Sequence, residues 1–209
     1  KNKNMKFPKK KYSEINQFFD KYIDNLNLCL RKTNLKKLKI ILKMIEDTIK
    51  NKNKIFICGN GGSAAIANHY VADYLKLLRT DTNLKPKIIS LVSNMELITA
   101  ISNDFNYDEI FSYQLETLAE KQDLLLMVSA SGNSKNLLNA LKFAKKIKMK
   151  SISFVGFNGG TLLKKSNICL HTKISNYGIS EDLAHIFMHI IIQFLRQKNL
   201  TKNLKRVKF

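Results

Sequence analysis

Cysteine is scarce in this chain of 209 residues, and its three cysteines lie far apart. Cys29, Cys58 and Cys169 are odd in number and include no CxxC pair, so they do not indicate the framework of a small disulfide-rich secreted protein. Hydrophobic residues make up 44% of the chain, which is enough to bury a core without disulfides or a structural metal. We therefore expect one domain, with at most a helical extension, that folds in a reducing compartment.

Long apolar runs are also absent. No run reaches the roughly 18 residues that a membrane-spanning helix requires. The basic segment at residues 1–6 is not followed by the apolar core of a signal peptide. The sequence therefore predicts a cytoplasmic protein without a membrane partner.

Acidic residues are few, with 16 against 36 lysines and arginines, for a formal net charge of +20. A charge of this size would suit a nucleic-acid partner if the lysines were clustered in one stripe. They are instead spread along the chain among many asparagines and isoleucines, and no zinc-finger spacing or aromatic RNA-binding motif accompanies them. We therefore predict no nucleic-acid partner and interpret the charge as an attraction for anionic substrates.

The hydrophobic pattern changes its period after residue 52. Before that point, apolar residues at helical spacing predict two amphipathic helices, over residues 12–32 and 35–49. After it, short apolar runs alternate with helical stretches, as in a parallel sheet covered by helices on both faces. The runs lie at residues 55–58, 88–92, 124–128, 152–155 and 168–170, and the main helical stretches at 64–78, 107–119, 135–148 and 179–197. We predict a helical extension over residues 1–52, an α/β domain over 53–200 and a basic tail over 201–209.

A glycine-rich turn follows the first apolar run and leads directly into a helical stretch. Its sequence is Gly59-Asn60-Gly61-Gly62-Ser63. Glycines allow backbone amides to approach an anion closely, the start of a helix attracts negative charge, and Ser63 is a suitable N-cap. The backbone of residues 60–63 is therefore a candidate site for a phosphorylated ligand. A tight turn with a capping serine is the alternative.

A second polar loop follows the third apolar run, again at the head of a helical stretch. It reads Ser129-Ala130-Ser131-Gly132-Asn133-Ser134, with three hydroxyls around one glycine. Helix capping accounts for one serine but less well for three. Because ligands of parallel sheets bind at the carboxyl ends of the strands, two such loops favour a phosphorylated small molecule.

Three of the four histidines lie in helical stretches together with carboxylates. His69 and Asp73 are four residues apart, and Glu181, His185 and His189 repeat that spacing near the end of the chain. Residues four apart share one face of a helix, and imidazole with carboxylate suits either a divalent metal such as Zn²⁺ or proton transfer near neutral pH. The alternatives are an exposed helical pair for His69 and Asp73, and a packed core residue for His185. The spacing leaves open whether His185 or His189 faces the site.

Three motifs together resemble the sugar-isomerase (SIS) domain of phosphoheptose isomerases. Two are the loops just described, and the third is the string Ala100-Ile101-Ser102-Asn103-Asp104-Phe105 with Ile110-Phe111-Ser112 after it. The resemblance covers about two-thirds of the chain. It implies a flavodoxin-like three-layer α-β-α sandwich with a five-stranded parallel sheet preceded by N-terminal helices. It also implies a homotetramer whose active sites form where subunits meet.

The resemblance further implies an activity. Enzymes of this family convert sedoheptulose 7-phosphate to D-glycero-D-manno-heptose 7-phosphate, which supplies heptose for lipopolysaccharide or surface polysaccharide. Their proton transfer passes through an enediol. By the same resemblance, the phosphosugar would contact the amides of the glycine loop and the serine loop. The substrate-binding set comprises Asn60, Gly61, Gly62, Ser63, Asn103, Asp104, Ser129, Ala130, Ser131, Ser134 and Glu181.

The family's metal and catalytic residues match this chain with some departures. His69 matches a ligand of the family, whereas Asp73 replaces a glutamate and Glu181 replaces a glutamine. Asp182 follows in place of the family's glutamate, and His189 lies eight residues after Glu181, where the family has a histidine. The resemblance therefore implies one Zn²⁺ per site, held by His69, Asp73, Glu181 and His189. Asp73 would be the catalytic base and His189 the opposing acid or base.

Two other interpretations stay open at this point. The departures at Asp73 and Glu181 are compatible with an isomerase that acts on another phosphosugar. A non-catalytic SIS module that senses a phosphosugar or binds a protein is the third possibility. Because binding alone does not require His69, Asp73 and His189, their presence favours an enzyme.

Overall fold

Five strands form one parallel sheet in a computed structural model that describes residues 5–208. The strands of this sheet are β2 (Lys54–Gly59), β3 (Lys87–Ser90), β4 (Leu124–Ser129), β5 (Lys150–Val155) and β6 (Ile168–His171), in the order β3-β2-β4-β5-β6. A separate parallel pair joins β1 (Met5–Lys6) to β7 (Ile174–Ser175). All four pairings within the large sheet are parallel, so each connection between neighbouring strands passes over a face of the sheet.

Helices cover both faces of the sheet. They are α1 (Ile15–Arg31), α2 (Leu35–Lys50), α3 (Gly62–Ala72), α4 (Met95–Asp104), α5 (Ser112–Leu118), α6 (Lys135–Lys146), α7 (Gly160–Lys165) and α8 (Tyr177–Lys198). A π-helical segment, Asp73–Leu78, continues α3, and 3₁₀ turns lie at Tyr107–Glu109 and Leu204–Arg206. The three-layer sandwich with a five-stranded parallel sheet is confirmed.

Alternation along each strand explains why the sheet needs two layers of helices. In β2, Ile55 and Ile57 join one apolar cluster, whereas Phe56 and Cys58 join a second cluster on the other face. The first cluster includes buried residues of α2, α3 and α8, and the second includes residues of α4, α5, α6 and α7. Successive side chains of a strand point to opposite faces, so a continuous apolar run has to be covered twice.

Several elements differ from the sequence-based expectation. Helices α4 and α7 and the β1–β7 pair were not predicted. In α4, Ile101 is the buried residue and Met95 is exposed, so the helix has little of the apolar periodicity that identifies amphipathic helices. The stretch expected to be helical over residues 107–119 divides into a 3₁₀ turn and α5. The segment expected as one helix over 64–78 changes to π-helix at Asp73.

Both ends of the described chain pack against the sheet domain. Cys29 of α1 and Ile41 of α2 belong to the same apolar cluster as the sheet. Near the carboxyl end, the Thr201 amide donates to the Asp81 carbonyl at 2.9 Å, and the Lys202 ammonium lies 2.6 Å from the Asp81 carboxylate. The domain boundaries at residues 53 and 201 stay predictions. Among residues 5–208, no helix combines the length and the apolar character needed to cross a bilayer.

Candidate active site

The two predicted phosphate loops meet in one cavity of about 140 Å³. They do so because β2 and β4 are adjacent in the sheet, and each loop begins where its strand ends, at Gly59 and Ser129. The cavity is lined by Asn60, Ser63, Val128, Ser129, Ala130, Ser131, Ser134, Tyr177 and Glu181. Seven of the predicted substrate-binding residues are therefore brought together, although their contact with a substrate stays a prediction. Sequence reasoning missed Tyr177, which carried no motif and whose ring centroid lies 4.8 Å from that of Phe157, with the two rings tilted.

Local geometry requires glycine at two positions of the first loop. Gly61, the N-cap of α3, has a φ of +55°. Residues other than glycine rarely adopt this backbone region. A Cβ on Gly62 would collide with the Glu181 carboxylate. Because α3 begins at Gly62, Ser63 lies within its first turn, and the expectation that Ser63 is the N-cap was wrong.

Glu181 lies against the start of α3. Its carboxylate accepts hydrogen bonds from the backbone and the hydroxyl of Ser63, which lower its pKa. Burial, and after it the neighbouring Asp182, raise the pKa of Glu181 more strongly, so the net shift is upward. Asp182 in turn accepts a hydrogen bond of 2.5 Å from the Tyr22 hydroxyl of α1. Of the two adjacent acidic residues of α8, Glu181 therefore contacts the glycine loop and Asp182 contacts the N-terminal helix α1.

Serine hydroxyls in the second loop are oriented by the loop's own backbone. The Gly132 amide donates to Ser129 Oγ at 3.1 Å, and the Asn133 amide donates to Ser131 Oγ at 3.3 Å. A hydroxyl that accepts from an amide keeps its own O–H free to donate. Gly132 has φ +68°, which lets the chain turn into α6 with Ser134 as its N-cap. The loop therefore directs hydroxyl donors and a helix amino terminus at the cavity.

Three imidazoles gather between α3 and α8. The ring nitrogens of His69, His185 and His189 form a group within 4.8 Å, and His69 Nε2 lies 3.2 Å from His189 Nε2. The Asp73 carboxylate lies 3.5 Å from His69 Nε2 and 3.3 Å from His189 Nε2. Burial, followed by the charges of His69 and His189, lowers the pKa of His185 and so favours its neutral form. Neutral imidazoles are the form that binds metals.

Two buried polar atoms in this group have no hydrogen-bond partner among the described residues, namely Asp73 Oδ2 and His185 Nε2. Buried polar atoms without partners are costly, and a cation bound between the rings would satisfy His185 Nε2 and offset the negative charge of Asp73. Three histidines with a nearby carboxylate form a donor set that suits Zn²⁺. The residues present therefore fit a divalent metal.

Both histidines of α8 belong to this group, so the structure does not separate them as the sequence-based alternatives did. His185 and His189 are one helical turn apart, and their rings stack at 4.7 Å. The signal was present in the sequence as the spacing Glu181, His185, His189, but the apolar neighbours of His185 favoured a packed core residue. Glu181 shares that helix face and yet reaches the glycine loop, outside the group of metal-binding atoms. Its role as a metal ligand stays a prediction.

Asp73 is the first residue of the π-helical segment. A π-helical turn contains an additional residue and is frequent at functional sites. The Asp73 side chain is 13% exposed, and it is directed between His69 on its own helix and His189 on α8. The helix irregularity therefore occurs where the carboxylate enters the histidine group.

The third motif lies outside the lining of the cavity. Asn103 and Asp104 are exposed at the end of α4, and the Asn103 amide donates to the Asp104 carboxylate at 2.9 Å. Neither residue lines the cavity within this chain. Their predicted contact with sugar hydroxyls stays a prediction.

Comparison with known proteins gives consistent relatives. The SIS domain family model matches residues 17–156. The phosphoheptose isomerase of Aliarcobacter butzleri is 39% identical over 153 residues, covering 73% of this chain and 80% of that protein. The phosphoheptose isomerase of Helicobacter pylori strain P12 is 36% identical over 169 residues, covering 79% and 86%.

Solved structures agree with these relatives. A phosphoheptose isomerase from Francisella tularensis superimposes with a TM-score of 0.79 at 27% identity, covering 88% of this chain and 96% of that one. Phosphoheptose isomerase GmhA from Neisseria gonorrhoeae gives a TM-score of 0.80 at 25% identity, covering 88% and 97%.

Proposed function

This chain belongs to the SIS-domain family and, within it, to the phosphoheptose isomerases, and from that premise we propose that it converts sedoheptulose 7-phosphate to D-glycero-D-manno-heptose 7-phosphate. The observation that carries the proposal is that a candidate phosphate-binding cavity and a group of candidate proton-transfer residues lie on the same elements. One cavity is lined by both phosphate loops. The imidazoles that could move a proton lie on α3 and α8, which border that cavity, and the Asp73 carboxylate lies on the π-helical continuation of α3.

The phosphate is assigned to the loop end of the cavity. Hydroxyls of Ser129, Ser131 and Ser134 and the backbone amides of residues 60–62 provide donors without a fixed positive charge. The formal net charge of +20 adds a general attraction for a dianionic sugar phosphate. Ala130 offers no hydroxyl, so its contribution is limited to its backbone and methyl group.

The reaction moves one proton from C1 to C2 of the ketose, while the hydroxyl proton of O1 is lost and O2 gains one. We assign Asp73 as the base that takes the C1 proton, because its Oδ2 makes no hydrogen bond and lies 3.3 Å from His189 Nε2. His189 then serves as the partner that exchanges a proton with the oxygens. Asp73, shorter than glutamate by one methylene, would reach the substrate from the first turn of the π-helical segment.

We propose that the group of imidazoles holds one Zn²⁺ per site. His69, His185 and His189 would be its ligands, with Asp73 beside them. A bound divalent ion would supply positive charge that stabilises the developing negative oxygen of the enediolate. Glu181 is the remaining member of the metal-ligand set implied by the family. It would instead accept a hydrogen bond from a sugar hydroxyl at the glycine loop.

We also propose that the chain assembles as a homotetramer with active sites near the subunit contacts. Large apolar side chains are exposed on three helices, namely Ile15 and Phe19 of α1, Leu35 of α2, and Ile190 and Phe194 of α8. Exposed apolar patches of this kind commonly mark interfaces. Sedimentation at micromolar concentration tests the assembly, and a monomer at that concentration would rule it out.

A different phosphosugar is the second candidate. Asp73 and Glu181 both differ from the family's residues, and both lie at the site. These two residues would therefore account for a different sugar substrate. A non-catalytic sensing module is disfavoured, because binding does not require a carboxylate held between two imidazoles. If the heptose is the product, the pathway served would be heptose supply for lipopolysaccharide or surface polysaccharide.

Incubation of the purified chain with sedoheptulose 7-phosphate, followed by NMR, tests the activity directly. We expect an aldoheptose 7-phosphate to form, faster with added Zn²⁺ and slower with a chelator. Product formation on another ketose phosphate, with none from sedoheptulose 7-phosphate, would establish the second candidate. Binding without conversion of any ketose phosphate would contradict an isomerase.

A further inference from the structure

A pair of asparagines, Asn136 buried and Asn60 half-buried, joins the two phosphate loops. Asn60 Nδ2 donates to Asn136 Oδ1 at 3.0 Å, and Asn136 Nδ2 donates to Asn60 Oδ1 at 2.9 Å. Asn136 also accepts from the Leu137 amide at 2.9 Å and is 1% exposed. It lies two residues after Ser134, in the first turn of α6. The amide pair therefore fixes the glycine loop after β2 relative to the serine loop after β4.

The third sequence motif is joined to the same Asn60 oxygen through the segment that links its two parts. Tyr107, three residues after Asp104, donates its hydroxyl to Asn60 Oδ1 at 2.9 Å. Its 3₁₀ turn is held against α6, because Asn139 donates to the Asp108 carbonyl at 3.1 Å and to the Glu109 carboxylate at 2.9 Å. Asn60 is thus the point at which all three motifs are joined.

These contacts change the role of the Asn60 side chain. Its oxygen accepts two hydrogen bonds and its nitrogen donates one, so little of the amide is left for a ligand. The donors that the glycine loop offers to a phosphate are then backbone amides, whose direction depends on where Asn60 is held. A displacement of this loop by a fraction of an ångström would lengthen several charge-assisted hydrogen bonds at once.

We propose that Asn136 and Tyr107 are positioning residues for phosphate binding, acting through Asn60 to hold the glycine loop at a fixed distance from the serine loop. The proposal rests on the proposed function insofar as it assigns a phosphosugar to this cavity. Neither side chain lines the cavity, and neither touches the histidine group. The phosphate is bound equally in the ground state and in the transition state, so loss of this positioning should weaken binding rather than slow the chemistry.

The test compares Asn136→Ala and Tyr107→Phe with Asn167→Ala as the matched control. Asn167 Oδ1 accepts two hydrogen bonds of 2.9 Å from the backbone and hydroxyl of Ser151, near the start of β5 and away from the cavity. We expect Asn136→Ala to raise KM for the sugar phosphate about tenfold with kcat changed less than about threefold. Tyr107→Phe, a change at an exposed side chain, should raise KM about threefold. Asn167→Ala should lower thermal stability without changing KM.

The double variant gives a sharper readout. Because both side chains donate to one oxygen, Asn136→Ala with Tyr107→Phe should raise KM by less than the product of the two single effects. KM values within about twofold of wild type in both single variants, or equal losses of kcat and kcat/KM, would overturn the proposal. If Asn136→Ala does not fold, Tyr107→Phe alone decides the question.

Binding of inorganic phosphate tests the positioning role independently of the isomerase activity. Its dissociation constant, measured by titration calorimetry, should rise in Asn136→Ala and Tyr107→Phe and stay constant in Asn167→Ala. Should the wild type bind phosphate but turn over no ketose phosphate, the isomerase assignment fails while weaker binding in the two variants still supports the positioning role. Unchanged phosphate affinity in both variants would refute it, whatever the activity.

Discussion

Asparagine in place of Asp73 is expected to lower kcat for the isomerisation by about 10³-fold, within the usual contribution of a general base. The substitution preserves the shape of the side chain and removes its charge and its ability to take a proton. KM should change little, since Asp73 does not line the cavity that we assign to the phosphate. Steady-state kinetics with sedoheptulose 7-phosphate, at a fixed Zn²⁺ concentration, provides the measurement.

Asp81→Asn is the matched control for this experiment. Asp81 is the carboxylate contacted by Lys202 and Arg196, so its neutralisation should reduce stability without affecting turnover. Turnover by Asp73→Asn within about tenfold of wild type would show that another group takes the proton. His189 would then be the first alternative, because it lies 3.3 Å from Asp73.

Strands and long helices could be predicted because each depends on a local pattern. The five apolar runs became the five strands, and α1 and α2 follow their apolar spacing closely. α4 and α7 carry no comparable signal, since α4 buries Ile101 and α7 is six residues long. The β1–β7 pair joins residues about 170 positions apart, and its two-residue strands offer no periodicity to detect.

The same distinction between local patterns and distant contacts decides which parts of the site could be predicted. The loops were predictable because glycines and serines follow two strands of one parallel sheet, and ligands bind at the carboxyl ends of such strands. Contacts between distant segments were not, since they depend on packing. Examples are the Asn60–Asn136 pair, the bond from Tyr22 to Asp182, and the close approach of His185 to His69. Spacing places Glu181, His185 and His189 on one helix face, but it does not determine which neighbour each one meets.

The three-histidine group also resolves a conflict in the ligand set implied by the family. In that set, Asp73 has to be both a metal ligand and a mobile base, and these roles compete for the same lone pairs. Three imidazoles are a complete protein ligand set for catalytic zinc, with the fourth position left open. If His69, His185 and His189 hold the ion, Asp73 is free to exchange a proton.

Alanine in place of His185 is expected to weaken zinc binding by at least about 100-fold, because even residues that only support metal ligands contribute 10- to 100-fold. Glu181→Ala should leave zinc affinity unchanged within about threefold, since the Glu181 carboxylate bonds to Ser63 and lies outside the imidazole group. Competition with a chromophoric chelator measures both affinities without an activity assay. The ligand set implied by the family, which includes position 181 and omits His185, predicts the opposite order, with loss of zinc in Glu181→Ala and retention in His185→Ala.

A further histidine serves as control for the removal of an imidazole. His171 ends β6, where Nε2 lies 3.0 Å from the Phe157 carbonyl, and it is not part of the metal-binding group. His171→Ala should retain wild-type zinc affinity while losing that contact. Equal zinc loss in His171→Ala and His185→Ala would mean that instability, and not ligand removal, causes the effect. Zinc loss confined to His185→Ala would leave Glu181 as a residue of the sugar site and Asp73 as the base beside a three-histidine metal centre.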